Sequence, residues 1–219
     1  MRSWCLAILL SGAAGAVWTA GAVAAPPERV EVGYQLARNG KVVAEVSDRL
    51  EHDGKTYKLS ETWRGKGVFA LKGDATRSST GAVARDGLRP QKFEDKRSSR
   101  DARRHEFDPK SNAPALQRQD RLSFIWNFAF APPREAVAVT VADGKGTSNY
   151  VYQPAGRERV KTPAGEFDAL KLVKKNKEGD GRSTEIWLAA DKHYLPVRIA
   201  VVEKDGTRIE QVAVKISAQ

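Results

Sequence analysis

Apolar and polar residues alternate from Val32 onward. Val32, Tyr34 and Leu36 alternate with Glu31, Gly33 and Gln35, and Val42, Ala44 and Val46 resume the alternation after Asn39-Gly40. A two-residue period broken by Asn-Gly predicts a β-hairpin, because the tight turn needs positive φ at both central positions. Asp53-Gly54 makes the next turn. Tyr57, Leu59 and Trp63 predict a third strand, with Lys58, Ser60 and Thr62 on its opposite face. Gly65-Lys66-Gly67 then turns the chain into the apolar run 68–71. Residues 78–85 are small and polar and fit a flat strand, and 86–90 turn into 91–94.

The second half repeats this character. Residues 136–142, 148–152, 167–173, 184–189, 195–202 and 209–216 predict strands. Turns fall at 143–146, 162–165, 176–181 and 205–206. Thr162-Pro163-Ala164-Gly165 has Pro second and Gly fourth, as a type I turn prefers. Roughly a dozen short strands at this spacing are the signature of a sandwich or barrel.

Between the halves, 108–119 holds Pro109, Asn112 and Pro114, lacks a period, and reads as a connector. Residues 120–130 follow, the most apolar stretch after residue 27. As a helix, Leu122, Ile125, Trp126 and Ala129 share a face. As a strand, Leu122, Phe124, Trp126, Phe128 and Phe130 alternate equally well, so pattern alone leaves both open. The flanks favour the helix: Asp120 is a good N-cap and Pro132-Pro133 a firm stop. A helix apolar on nearly all sides is a buried one. The expected fold is mainly β, a curved antiparallel sheet or half-barrel wrapped around one short apolar helix.

The N-terminus changes the setting. Arg2, the apolar run 4–10 and Ala22-Val23-Ala24 compose the n-region, h-region and A-x-A cleavage site of a secretory signal peptide. The expected organisation is a signal peptide at 1–24 and one β-rich domain at 25–219. The expected location is the periplasm, with no membrane span after cleavage. Cys5, the sole cysteine, leaves with the signal, so no disulfide, thiol nucleophile or thiolate metal site is expected in the remainder.

The formal charge is +10, with 37 Lys and Arg against 27 Asp and Glu. A basic balance suits nucleic acid, anionic membrane surfaces or acidic glycans. Export argues against nucleic acid and leaves the other two, or a basic surface that is simply solvated. Lys96, Arg97, Arg100, Arg103 and Arg104 lie in a basic stretch at 92–104 around Ser98-Ser99, a predicted hairpin tip or loop. This stretch is the candidate holder of an anionic group, or the docking face for an envelope protein partner.

Candidate chemistry is sparse. His52, His105 and His193 show no H-x-x-x-H, H-x-H or H-E-x-x-H spacing, so no metal or other cofactor is expected. There is no G-x-S-x-G elbow, P-loop or dinucleotide fingerprint. Ser123 carries no catalytic weight without geometry. Glu166 and Asp168 flank Phe167 on a predicted strand and share a face at roughly the 7 Å separation that glycosidases use; a solvent-facing strand shows such pairs too. No catalytic residue is assigned. Trp63, Phe124, Trp126, Phe128 and Trp187 are the candidate lining of an apolar groove for a lipid or other hydrophobic ligand, or an ordinary aromatic core.

Five strings share an order and spacing: Gly87-Leu88-Arg89-Pro90; Phe107-Asp108; Asp120-Arg121-Leu122-Ser123; Thr162 through Ala169; and Ile186-Trp187-Leu188-Ala189 with Leu195-Pro196-Val197-Arg198. Together they resemble the exported bacterial family called domain of unknown function 3108, over residues 30–216. The resemblance implies a β-rich domain with a short helix after its first half, and no known activity. By fold analogy alone it is similar to the lipoprotein-carrier half-barrels of the Gram-negative periplasm. The expected function is therefore a non-enzymatic binder of a lipid or hydrophobic ligand. A docking module and a glycan or ester hydrolase stand as alternatives.

Overall fold

The computed structural model describes residues 25–98, 100–176 and 181–219. The predicted signal segment 1–24, Ser99 of the basic tip and 177–180 of the tip at 176–181 lie outside the described residues.

Two meanders build one sheet. The first comprises Arg29–Arg38 (β1), Lys41–His52 (β2), Thr56–Gly65 (β3), Ala75–Ala84 (β4), Gly87–Arg97 (β5) and Arg100–Glu106 (β6). The second comprises Gln119–Asp120 (β7), Val137–Ala142 (β8), Thr147–Thr162 (β9), Gly165–Lys175 (β10), Ser183–Ala189 (β11), Leu195–Val202 (β12) and Arg208–Ala218 (β13). The order is β6-β5-β4-β3-β2-β1-β13-β12-β11-β10-β9-β8-β7. All neighbours are antiparallel except β7 and β8. β1 and β13 zip the meanders together from Val30 opposite Ala218 to Arg38 opposite Ile209. A sheet of thirteen strands must curl, and this one stays open, with β6 and β7 as its edges. The turns after β1, β3, β5, β10 and β12 share one end of the sheet, the upper rim.

The helix Ser123–Phe130 (α1) lies inside the curve against β5, β7 and β12. Its polar position is used to attach the sheet: Asn127 Oδ1 accepts the backbone N–H of Leu88 at 2.7 Å. Gly87 makes room for this bond. Its φ is +117°, and a Cβ there would stand 2.2 Å from Asn127 Oδ1. Gln119 Nε2 donates to Leu88 O at 2.7 Å, so β5 is tied to the connector as well.

The expected half-barrel around a helix is the observed architecture, with three differences of detail. First, α1 starts at Ser123 rather than Asp120. Gln119 and Asp120 pair with Val141 and Ala142 as β7. Asp120 still caps: its Oδ1 accepts the N–H groups of Leu122 at 2.8 Å and Ser123 at 2.7 Å, while Ser123 Oγ accepts Asp120 N–H at 3.0 Å. Second, the apolar run 68–71 belongs to a 3-10 turn, Gly67–Lys72, which folds back so closely that a Cβ on Gly65 would meet Phe69 O at 2.3 Å. Third, the strand expected at 148–152 extends to Thr162. Pro154 and a positive-φ Gly156 obscured it, and most positions beyond Tyr152 are solvent-facing.

The core has two parts, and α1 feeds both. Trp126 and Ala129 join Tyr34, Leu50, Leu59 and Phe93 beneath the first meander. Phe128 joins Val139, Tyr152, Leu172, Ile186 and Leu188 beneath the second. An octet of residues with apolar groups all round is thereby consumed from both sides.

A cleft beside the helix as candidate functional site

The inner surface of the first meander carries a row of charge. Asp48, Glu61, Arg77 and Asp95 occupy directly opposed positions on β2, β3, β4 and β5. The three carboxyl groups are buried. Arg77 Nη1 donates to Glu61 at 2.7 Å, its Nε stands 3.7 Å from Asp95, and its guanidinium lies 5.4 Å from the centre of the Trp63 ring. Asp48 Oδ2 accepts the indole N–H of Trp126 at 3.0 Å. Burial, and then the charge of Glu61, pushes Asp48 well above the ordinary carboxylate range against the pull of Trp126 and Arg77. Burial likewise raises Glu61, opposed by the Arg77 charge and by Trp63. At the start of α1, burial pushes Asp120 up to about 6, although Ser79 Oγ donates to it at 2.5 Å. Tyr57 hydroxyl closes that chain at 2.8 Å from Ser79. Most of these groups are paired inside the fold, whereas Asp48 Oδ1 is buried without a hydrogen-bond partner.

Beneath the second meander the arrangement opens. Phe124 and Ile125, both half-buried, form one wall of a cleft of about 190 Å³. Tyr150 and Tyr152 of β9 and Ile199 and Val201 of β12, with Val141 and Ile186, extend its apolar surface. Phe124 stacks on Tyr152 with centroids 6.1 Å apart, and Phe128 meets Tyr152 edge-on from beneath at 6.0 Å. Four cations border the cleft: Arg77, Arg121, Lys174 and Arg182. Lys174 Nζ stands 5.2 Å over the Tyr150 ring, and Arg121 pairs with Asp143 at 2.9 Å. Burial raises the Tyr152 phenol, as does Tyr150, against the pull of Arg182. The volume is below the few hundred Å³ of a drug-sized site, so the cleft suits one end of a chain or a small amphiphile. Other depressions of about 410 and 450 Å³ lie elsewhere on the sheet, the first lined in part by Tyr34 and Val46 and the second by His52 and Tyr57.

Of the five aromatic residues expected to line a groove, the structure places Phe124 in the cleft. Trp126 and Phe128 are core residues on the other sides of α1. Trp63 covers Arg77 in the charged row. Trp187 is buried between Lys171 and Arg198, at 4.9 and 4.6 Å, and donates to Glu158 at 2.5 Å. The expected basic set is largely engaged in its own hairpin: Lys96 and Arg104 share Glu94, at 3.2 and 2.8 Å, and Arg97 pairs with Asp95 at 3.2 Å. The side chain of Arg100 lies outside the described residues. Arg103 and Arg104 pack against the turn at Gly144, next to the Asp143 partner of Arg121. The hairpin therefore reaches the cleft margin only through that turn.

The cations that do border the cleft come from four separate segments, so no local run announced them. The one readable signal was Tyr150 and Tyr152, two aromatics on one strand face with Lys174 opposite Tyr152. The remaining candidates are dispersed. His52 bonds to Pro26 O at 3.0 Å, His105 lies edge-on to Phe107 at 4.5 Å, and His193 ends a 3-10 turn with φ 51°. Glu166 and Asp168 face Arg159 at 2.8 Å and Arg157 at 3.0 Å, a solvent-facing ladder of ion pairs. Among the described residues no cluster of His, Cys, Asp and Glu is poised to hold a metal, and no helix is long and apolar enough to cross a membrane.

An open, barrel-like antiparallel sheet wound around one helix, with an amphiphilic cleft beside that helix, defines the class. Residues 29–213 match the family described as protein of unknown function (DUF3108), and the chain belongs to that family. No curated protein matches the sequence. Among solved structures, the chain is similar to a β-barrel-like protein of domain of unknown function DUF1849 from Brucella abortus. The TM-score is 0.54 at 8% identity, covering 89% of this chain and 99% of that one. A structure titled as an exported protein with a YmcC-like fold, from Bacteroides fragilis, matches at TM-score 0.44 and 12% identity over 88% and 97% of the two chains. At 8% identity the likeness to the Brucella abortus protein is one of fold.

Proposed function

We propose that this protein is an exported, non-enzymatic binder of a small amphiphile that carries an anionic head and an apolar tail. The signal-like segment 1–24 supports the export, and the periplasm is the compartment it implies. The cleft carries the binding: Phe124, Ile125, Tyr150 and Tyr152 offer apolar surface, and Arg121, Lys174 and Arg182 stand where a carboxylate or phosphate head would lie. Pairing apolar walls with a few placed charges is the usual economy of such sites. Binding is favoured over hydrolysis by the state of Ser123, whose Oγ is buried and bonded to Asp120 backbone groups, with no histidine partner. Docking through the basic hairpin has less support, because Lys96, Arg97 and Arg104 all hold carboxylates of their own hairpin, whereas at the cleft Arg121 and Arg182 hold Asp143 and Glu203 but Lys174 stands over the Tyr150 ring.

Calorimetric titration with decyl phosphate and with decanol tests the reading. Saturable binding of decyl phosphate, weaker binding of decanol, and loss in both Phe124→Asp and Lys174→Glu are expected. Absence of saturable binding to the unaltered protein would sink it.

A further inference from the structure

The 3-10 turn Gly67–Lys72 presents apolar side chains to water. Val68 is 74% exposed and Leu71 is 90% exposed. Gly67 and Gly73, with φ of 56° and 69°, bend the chain out and back. Lys66 N–H bonds to Val43 O at 2.8 Å, which sets the turn beside the start of β2, where Val42 is a further exposed apolar residue. Single exposed apolar residues are ordinary. This set is not scattered: the exposed large hydrophobics among the described residues are Val42, Val68, Leu71 and Val151. Val151 pairs with Lys175 at the end of β10, so all four lie toward the upper rim.

The charge of that rim points to the occupant. Arg38 and Lys41 are directly opposed across β1 and β2, with Asp205 of the neighbouring turn as an acidic group that interacts with Arg38. Arg208 adjoins the same Asn39 turn through its backbone bond to Asn39 Oδ1 at 2.8 Å. Arg64 and Lys66 enter the apolar turn itself, Lys66 pairing with Glu45 at 2.6 Å. Exposed apolar tips ringed by cations fit the boundary between headgroups and acyl chains of an anionic bilayer. There the tips leave water and the cations meet phosphate. A soluble acidic protein would satisfy the cations but leave Leu71 without a reason to protrude.

We infer that the upper rim is a docking surface for an anionic phospholipid bilayer, entered by Val68 and Leu71 and held by Arg38, Lys41 and Arg64. The inference does not depend on a ligand in the cleft. If both hold, the docked protein presents the Lys174 and Arg182 side of its cleft toward the lipid.

Cosedimentation of the mature protein with phosphatidylglycerol–phosphatidylethanolamine vesicles and with pure phosphatidylcholine vesicles tests it. Binding to the first, little to the second, and weakening in high salt are expected. Val68→Ser with Leu71→Ser lowers the partition coefficient by at least about tenfold. Lys41→Gln or Arg64→Gln lowers it by about fivefold each. Both positions are exposed, and far-ultraviolet circular dichroism confirms an unchanged fold. Phe124→Asp leaves sedimentation intact while removing decyl phosphate binding, which separates this surface from the cleft. Equal sedimentation of the Val68/Leu71 variant and the parent, or no sedimentation of the parent with anionic vesicles, overturns the inference; so does loss of sedimentation in Phe124→Asp alone.

Discussion

The inner surfaces of the two meanders meet at α1 and are chemically opposite. Beneath the first, the row Asp48, Glu61, Arg77 and Asp95 is buried, cross-linked and closed by Trp126. Beneath the second, the surface is apolar and aromatic, with cations at its margin and a cleft between helix and sheet. The same helix makes both, because its eight residues send Trp126 one way and Phe124, Ile125 and Phe128 the other. The lesson is that buried charge need not mark a site of chemistry. Arg77, Arg121 and Arg182 at the cleft also hold carboxylates, so what distinguishes the second surface is its half-buried aromatic wall rather than unpaired charge. Arg77 belongs to both regions and joins them.

The comparison breaks most sharply at Arg77. Arg77→Met leaves Glu61 and Asp95 buried without their shared cation and should cost about 3–5 kcal/mol in urea unfolding at pH 7. The loss should shrink in mild acid, where Glu61 takes up a proton. A cost under about 1 kcal/mol would show the row to be solvated.

Next comes pH. The folded pKa of Asp120 is raised to about 6 from 3.8. The folded state therefore binds the proton more tightly than the unfolded state. Stability falls as pH rises from about 4 to about 6 and the penalty is complete above that, up to about 3 kcal/mol. Asp48 and Glu61 act with the same sign. Asp120→Asn keeps an oxygen for the N–H groups of Leu122 and Ser123 and loses the titrating proton. Its unfolding free energy should vary less across this window than that of the parent.

The cleft sharpens the contrast at smaller cost. Phe124 is only half-buried, so Phe124→Ala should lower stability by about 1 kcal/mol and reduce decyl phosphate affinity more than tenfold. Equal stability loss with unchanged affinity would assign Phe124 to packing alone. The least effect belongs to the outer ladder. Glu166→Gln with Asp168→Asn breaks two exposed ion pairs and should change the denaturation midpoint by less than the equivalent of about 1 kcal/mol, with no change in binding.

Much of this architecture was legible because strand and turn signals are local. Asn39-Gly40 takes positive φ at both residues, 48° and 77°, as its sequence required. The family-like strings also have structural explanations. Gly87-Leu88 receives Asn127, the Asp120–Ser123 string is a reciprocal cap, and Pro196 O accepts the Tyr34 hydroxyl at 2.8 Å. The candidate site was less legible. Aromatic content pointed to five rings, but inward-facing rings on a curved sheet fall into different layers, and of the five Phe124 alone lines the cleft. Basic density pointed to residues 92–104, yet cations close in sequence on a hairpin also lie close to the carboxylates of its partner strand. The sequence showed 68–71 only as an apolar run, since hydropathy does not say that Val68 and Leu71 face water.

The sequence by itself determined the alternating strands, their turns, the capped apolar helix and the excess of positive charge, since each depends on residues within a few positions of one another. Tertiary structure decided what remained: that β1 and β13 join the meanders, that four carboxyl and guanidinium groups align in one register, and that Arg77, Arg121, Lys174 and Arg182 border one cleft. Those relations join residues dozens of positions apart, and only the curvature of the sheet around α1 brings them together.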